Sequence, residues 1–485
     1  MLLYAKANKA IYGTMKAALL FWKKLKTELV NSYGFIANPY DPCTVNKIIK
    51  GTQATIVWHL DDLKISHVNK EVVDDILNDL NDAFGKQTGL STTTGKVHDY
   101  LGMTIDYSRE NMVMITMFDY LQDILANIPD TLKTNKGCPT PAAAHLFQVN
   151  NKAEKLNKQD ADIFHRTVAR LLFAAKRARP DIQTAIAFLC TRVKSPDVDD
   201  WKKLMRVLGY IRDTIFLPLT LGWDETGNVY WYVDASFAVH DNMRSHTGAI
   251  MTLGKGAAMS MSTKQKLNTK SSTEAELVGV SDYLPHCIWF GHFLHHQGYN
   301  IDENIIFQDN TSAIKMERNG RNSCTGNSRH IDVRYFFIKD RVEKGEISIK
   351  YCPTNLMLAD YYTKALQGKL FNIYRNVIMG YDDISVILDH LDAVSEERVG
   401  NSGAKTRKMS PILKNKKINF RSNDGRTKIS NANDVSNKKV RFNLVQDTDK
   451  DISRYDSSTS SNKSGKKRKS NDSVRTYRDV LIHGK

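Results

Sequence analysis

Two acids stand side by side in IVWHLDDLKIS, residues 56–66: Asp61 and Asp62. Ile56, Val57 and Trp58 precede them and Leu63 and Ile65 follow, so the pattern predicts a strand pair or hairpin. Adjacent like charges repel, and a buried carboxylate without a partner is costly or shifts its pKa. A solvated acidic turn is the plain alternative, and the apolar residues on both sides argue against it. Four further acids stand far apart at strand and helix ends. Asp234 lies in YWYVDASFA and Glu276 in the helix opened by SSTEAEL, with Glu274 as its rival. Asp309 ends IIFQD just before NTSAI, and Asp360 sits in LMLADYYTK. Singly, each has an ordinary reading as a helix cap or a charge at a helix N-terminus. Carboxylates are hard oxygen ligands that suit Mg²⁺ or Mn²⁺, with water and phosphate completing the shell.

The elements that must position these acids fall into three regimes. Up to about residue 225 helices and strands mix. LLFWKKLKTELVNSYGF, VVDDILNDLNDAF and the long run FHRTVARLLFAAKRARPDIQTAIAFLCTRV have helical spacing, TIVWHLDDLKISHV reads as the hairpin, and HDYLGMTIDY as a strand. From about 226 three short strands, VYWYVDASFA, TGAIMTLGK and AAMSMSTK, are followed by alternating helices and strands: a mixed sheet with helices packed on it. HIDVRYFFIKDRVEKG reads as a helix closed by Gly345. After about 385 Ser, Asn and Lys dominate, and such a segment buries too little apolar surface to offset its ordering entropy.

Charge separates the tail from the body. The chain of 485 residues carries a net +16, yet from Gly400 onward 22 Lys and Arg face 8 Asp and Glu, against 47 and 45 before it. Attraction to a polyanion is expected first from the tail, where Gly-Lys-Lys-Arg-Lys at 465–469 reads as a nuclear-localisation or nucleic-acid patch, or simply as a solvated linker. Six scattered cysteines with no C-x-x-C pair fit a reducing compartment. No stretch has the roughly 18–20 apolar residues of a membrane span, and the start lacks a signal-peptide pattern, so an intracellular protein with no membrane association is expected. His286, His292, His295 and His296 stand in HCIWFGHFLHHQ without an acid among them, which favours an amphipathic surface helix over a metal site.

YVDASFA, SSTEAEL, QDNTSAI, SRHIDVRYFFI and PTNLMLADYYTKAL, in this order and spacing, resemble the ribonuclease H of copia-type LTR retrotransposon polyproteins. KAIYGTMKAALLFWKKL, YGFIANPYDPCTV, HLDDLKISH, YLGMTIDY, RPDIQTAI and RVLGYIRDT resemble the second half of the copia-type reverse transcriptase and its connection to ribonuclease H. The resemblance covers about residues 4–380. It implies an α/β (α+β) chain. Residues 1–120 would be the C-terminal half of a truncated polymerase palm and 121–225 a mostly helical thumb or connection. Residues 226–385 would be a ribonuclease H-like mixed sheet flanked by helices, and 386–485 a disordered basic tail.

The resemblance also implies roles. Asp234 and Asp309 would be central ligands of two Mg²⁺ or Mn²⁺ ions, with Glu276 on one ion and Asp360 on the other, and the reaction would be hydrolysis of the RNA strand of an RNA–DNA hybrid. His330 would aid proton transfer or product release, or be a surface histidine. Asp61 and Asp62 look like the paired palm acids, which a divalent ion would neutralise. The family takes a further acid from well upstream of Tyr12-Gly13, so DNA synthesis by this chain alone is not expected. Partners would be nucleic acid and other products of the same polyprotein, in a cytoplasmic particle or the nucleus. Two other readings stand beside this one: an inactive or adopted nucleic-acid-binding remnant, and a polymerase fragment that needs an upstream piece.

Overall fold

In the computed structural model, residues 13–86, 88–319, 332–384 and 436–441 are described. Helix α1 (Met15–Thr27) leads into strands β1 (Ile36–Asn38), β2 (Asp41–Ile49), β3 (Thr52–His59) and β4 (Asp62–His67), then α2 (Lys70–Phe84) and β5 (Ser91–Gly95). Strands β3 and β4 are the expected hairpin. They pair from Thr55↔Ser66 to His59↔Asp62, which leaves Leu60 and Asp61 as the turn. Leu60 takes a left-handed backbone conformation (φ 54°) there, a local cost that the flanking ladder holds in place. Apolar residues alternate along both strands, and Ala54, Ile56, Trp58, Leu63 and Ile65 join Leu25, Leu29 and the apolar face of α2 in one core.

Strands β6 (Val97–Tyr100), β7 (Met103–Asp106) and β8 (Met112–Thr116) begin a second sheet, completed by β9 (Leu219–Trp223) and the two-residue β12 (Gly254–Lys255). Between them run α3 (Phe118–Ala126), α4 (Lys158–Ala175), α5 (Gln183–Cys190) and α6 (Val198–Asp213). Asp197 and Asp200 open α6 with a capping box, each side chain accepting from the other's backbone N–H.

The third sheet is mixed, as the sequence predicts. Strands β10 (Asn228–Ser236), β11 (His246–Thr252) and β13 (Met259–Lys264) are antiparallel neighbours, α7 (Ser272–His296) follows, and β14 (Glu303–Gln308) and β15 (Ser348–Tyr351) add in parallel, giving the order β13-β11-β10-β14-β15. Helices α8 (Thr311–Asn319) and α9 (Asp332–Glu343) lie between β14 and β15 in the chain, and α10 (Asp360–Thr363) and α11 (Gly368–Ile378) follow. Alternation along β10 sorts its two faces. Val229, Trp231 and Val233 enter the core under α7, while Tyr232 joins the larger core built by α4–α6, α10 and α11.

The tail contributes one described element, β16 (Ser436–Arg441), between β4 and β5 in the first sheet. The tail's composition does not disclose it. Arg329 and His330 lie outside the described residues, as does the rest of the tail. Among the described residues no helix is long and apolar enough to cross a membrane.

One buried ion pair ties the helical region to the mixed sheet. Arg179 and Asp181 are each 1% exposed and meet as a fork, Nε to Oδ1 at 2.9 Å and Nη2 to Oδ2 at 2.8 Å. Arg179 also donates to the backbone oxygen and hydroxyl of Thr214, at 3.2 and 2.7 Å. Asp181 accepts from the Tyr210 hydroxyl at 2.8 Å, and its backbone oxygen from the Tyr361 hydroxyl at 3.0 Å. Removing one partner strands the other charge in the core. Arg179→Met is therefore expected to lower unfolding free energy by about 3–5 kcal/mol, read by urea denaturation.

Candidate metal centre

Asp234 stands near the end of β10, and the parallel register of β10 and β14 decides what comes beside it. The last registered pair is Tyr232↔Phe307, so two residues further along each strand Asp234 and Asp309 come level. Strand β14 ends at Gln308, which leaves Asp309 at the carboxyl end of the sheet, where neighbouring parallel strands open a crevice. Glu276 enters from the first turns of α7. Oxygens of Asp234, Glu276 and Asp309 all lie within 4.8 Å of one another, the one such group of metal-ligating side chains among the described residues.

Asp360, first residue of α10, stands against Asp234. Its carboxyl is pushed up to about 7 by burial first and by the Asp234 charge second, against the pull of Lys364. The Lys364 ammonium lies 2.7 Å from the Asp360 carboxylate. Burial works against that charge, yet the bond to Asp360 and the fields of Asp234 and Asp309 keep its pKa above the ordinary value. The Glu276 carboxyl is held well above the usual range by burial and then by Asp234 and Asp309. Asp309 is raised too, by burial ahead of Asp234. This is how carboxylates behave when packed together away from water with no cation between them.

The approach of α10 depends on a missing side chain. Gly248 on β11 is registered opposite Asp234, and a Cβ there would lie 2.7 Å from the Ala359 oxygen and 2.8 Å from the Tyr362 Cβ. The helix therefore rests directly on the sheet backbone, and the Thr363 hydroxyl, one turn along from Asp360, donates to Asp234. On the opposite side Gly279, three residues after Glu276, lets α7 pack closely on the side chains of the sheet, since a Cβ there would lie 3.2 Å from the Thr247 methyl.

Gln308, fully buried, organises the remaining edge. Its Oε1 accepts from the backbone N–H groups of Asp309 and Asn310 at 2.8 and 3.1 Å, and its Nε2 donates to Glu276 at 3.4 Å. The sequence analysis missed Gln308 and Gly248. A buried amide in an apolar strand and a glycine inside a strand were the available signals.

Glu276 and not Glu274 joins the cluster. Glu274 instead accepts from the Lys270 backbone N–H at 2.7 Å while Ser271 caps the same helix. Asn310 caps α8, accepting from Ser312 and Ala313, and Ser236 donates to the Thr363 oxygen at 3.3 Å. Arg334 is bonded to Asp282. His292 and His296 pack on the Tyr40 ring at 5.0 and 5.3 Å, and Trp289 donates to the Tyr40 oxygen at 2.8 Å, so this face of α7 meets the first sheet. Asp61, half-buried, and Asp62, 9% exposed, stand on that first sheet and not with the other four acids.

No family model matches the chain. It is similar to the Retrovirus-related Pol polyprotein from transposon TNT 1-94 of Nicotiana tabacum, 26% identical over 380 residues, which is 77% of this chain and 28% of that protein. Over 376 residues it is 26% identical to the Pol polyprotein from transposon RE2 of Arabidopsis thaliana, 77% of this chain and 25% of the relative. A putative transposon Ty5-1 protein of Saccharomyces cerevisiae is 25% identical over 280 residues, 56% of this chain and 87% of the relative. The chain thus spans about a quarter of the length of the two plant polyproteins. Its homologues are copia-type and Ty retrotransposon Pol polyproteins, the relationship the motifs indicated.

Two expectations follow from the packing and the charges. Gly248→Ala must push α10 away. It should destabilise the protein by about 1–3 kcal/mol and weaken Mn²⁺ binding in calorimetric titration, even where the fold persists. Asp360 has a folded-state pKa of about 7, above the ordinary value near 4, so its ionisation opposes folding. Its stabilising influence is complete below about pH 4 and is lost as pH rises through about 7. Metal-free Asp360→Asn should accordingly match wild type in melting temperature near pH 4 and exceed it at pH 8.

Proposed function

We propose that this chain is a retrotransposon-derived nuclease of the ribonuclease H type, which hydrolyses the RNA strand of an RNA–DNA hybrid and leaves a 5′-phosphate and a 3′-hydroxyl. The convergence of Asp234, Glu276 and Asp309 on one mixed sheet, with Asp360 against Asp234, carries this reading. Similarity to retrotransposon Pol polyproteins supports it.

The donor set fits hard divalent cations. All four groups are carboxylates, three have pKa values raised by burial and mutual repulsion, and Asp234 and Glu276 are only 4% and 5% exposed. Asp234 and Asp309 would be the central ligands for Mg²⁺ or Mn²⁺, flanked by Glu276 and Asp360. The ions supply Lewis-acid polarisation of the scissile phosphate and a more acidic attacking water.

The chain's own residues do the positioning. Gln308 fixes the Glu276 carboxylate and the Asp309 backbone together, so two ligands from different elements share one frame. Thr363 and Lys364 hold Asp234 and Asp360 from the α10 side. Lys364 also sets a cation beside the acids, where it would meet a phosphate. Ser272 and Ser312, exposed at the starts of α7 and α8, would reach the 2′-hydroxyls that separate RNA from DNA. Asp61 and Asp62 would be two acids of a polymerase-type site on the first sheet.

The decisive measurement is cleavage of a labelled RNA–DNA hybrid by the purified chain in Mg²⁺. Asp309→Asn is expected to lower the rate by about 10²-fold or more while hybrid binding persists, since the ligand set loses one charge and its alignment. Product formed equally fast by that variant would end the assignment.

A further inference from the structure

We infer that the first sheet holds a strand-accepting slot between β4 and β5, a binding site for an extended peptide, whose occupant is the chain's own tail segment Ser436–Arg441. The chain path creates the slot. After β4 ends at His67, α2 crosses over, and β5 returns not beside β4 but one strand further out, in the order β1-β2-β3-β4-β16-β5. A gap one strand wide lies between two backbone edges, each with a row of amide and carbonyl groups that requires partners.

The tail segment answers both edges. It runs antiparallel to β4 in an unbroken register from Ser436↔His67 to Arg441↔Asp62. It also runs antiparallel to β5, from Asn437↔Gly95 to Arg441↔Ser91. For β5 this is the one ladder among the described residues. Addition of a strand through main-chain hydrogen bonds is a common mode of peptide recognition, and here it is doubled, because the peptide has a neighbour on each side. Residues 436–441 contain neither proline nor glycine, which suits a central strand.

The register gives the site its selectivity. Val440 is paired with Leu63, a fully buried residue of the hairpin core, and Arg441 with Asp62 at the acid pair. Lys439 is paired with Lys64, a like-charge position that weakens the ladder. A peptide with an apolar residue followed by a cation thus matches the β4 edge. Because the tail belongs to the same chain, docking is intramolecular and requires no high affinity. Docking closes the sheet beside the Leu60–Asp61 turn. The slot makes no use of the four clustered acids, so it stands or falls apart from the nuclease reading.

Hydrogen–deuterium exchange on the full 485-residue chain tests it, with peptides that cover Ser91–Gly95 as the reporter. In the wild type these amides should exchange at least about tenfold more slowly than an unstructured peptide. Val440→Pro removes a ladder donor from the middle of the tail strand and should return them to the unstructured rate. Lys439→Thr removes the like-charge pair and should slow them further, and Ser457→Pro, elsewhere in the tail, should change nothing. Changes of opposite sign at one reporter cannot both arise from a damaged fold. Unprotected Ser91–Gly95 amides in the wild type, or protection that survives Val440→Pro, would overturn the inference.

Discussion

Carboxylates that lie within 4.8 Å of one another and largely out of water repel, and the mixed sheet and its helices are arranged to hold them there nonetheless. Asp234, Glu276 and Asp309 come from a strand, a helix and a strand end, so no local segment could enforce their meeting. Burial and mutual repulsion raise the pKa values of Glu276, Asp309 and Asp360, as such crowding of carboxylates requires. A fold that keeps such a cluster is complementary to a positive charge at its centre, and the partial answer within the protein is Lys364 beside Asp360.

The cluster is held from behind by packing that carries no chemistry of its own. Helix α10 rests on Gly248, and Tyr361, next to Asp360, is tied to the helical region twice. The Thr184 hydroxyl donates to its backbone oxygen at 2.7 Å, and its own hydroxyl reaches the Asp181 oxygen. The Arg179–Asp181 pair is thus a distant support for the position of Asp360. A buried ion pair is a poor source of net stability, but it is exacting about geometry. It fixes the helices against the sheet end that carries the acids.

The other acid pair belongs to a different construction. Asp61 and Asp62 owe their place to a two-residue turn between two well-packed strands, and the sheet around them is completed only by a segment from the basic tail. Between the two sheets runs α7, which presents Glu276 at its start and His292 and His296 against Tyr40 near its end. One helix therefore touches both the carboxylate cluster and the sheet that carries the acid pair.

Much was legible in the residues because much of it is local. Alternation around Asp61 and Asp62 disclosed the hairpin, strand-strand-strand-helix-strand order disclosed the mixed sheet, and the wording around Asp234, Glu276, Asp309 and Asp360 disclosed which acids to watch. Gln308 and Gly248 escaped notice because their importance lies in what stands across from them: an amide is ordinary until its strand end is buried, and a glycine until a helix rests on it. The six-residue tail strand escaped for a related reason, since composition averages over a segment and says nothing of an edge elsewhere that requires a partner. The sequence by itself determined the elements, their order and the candidate acids, because backbone periodicity and residue type are properties of a chain. Only the tertiary structure decided that Glu276 rather than Glu274 meets Asp234, that Asp309 comes level with it, and that β4 and β5 stand one strand apart, because register and close approach are settled between segments and not within them.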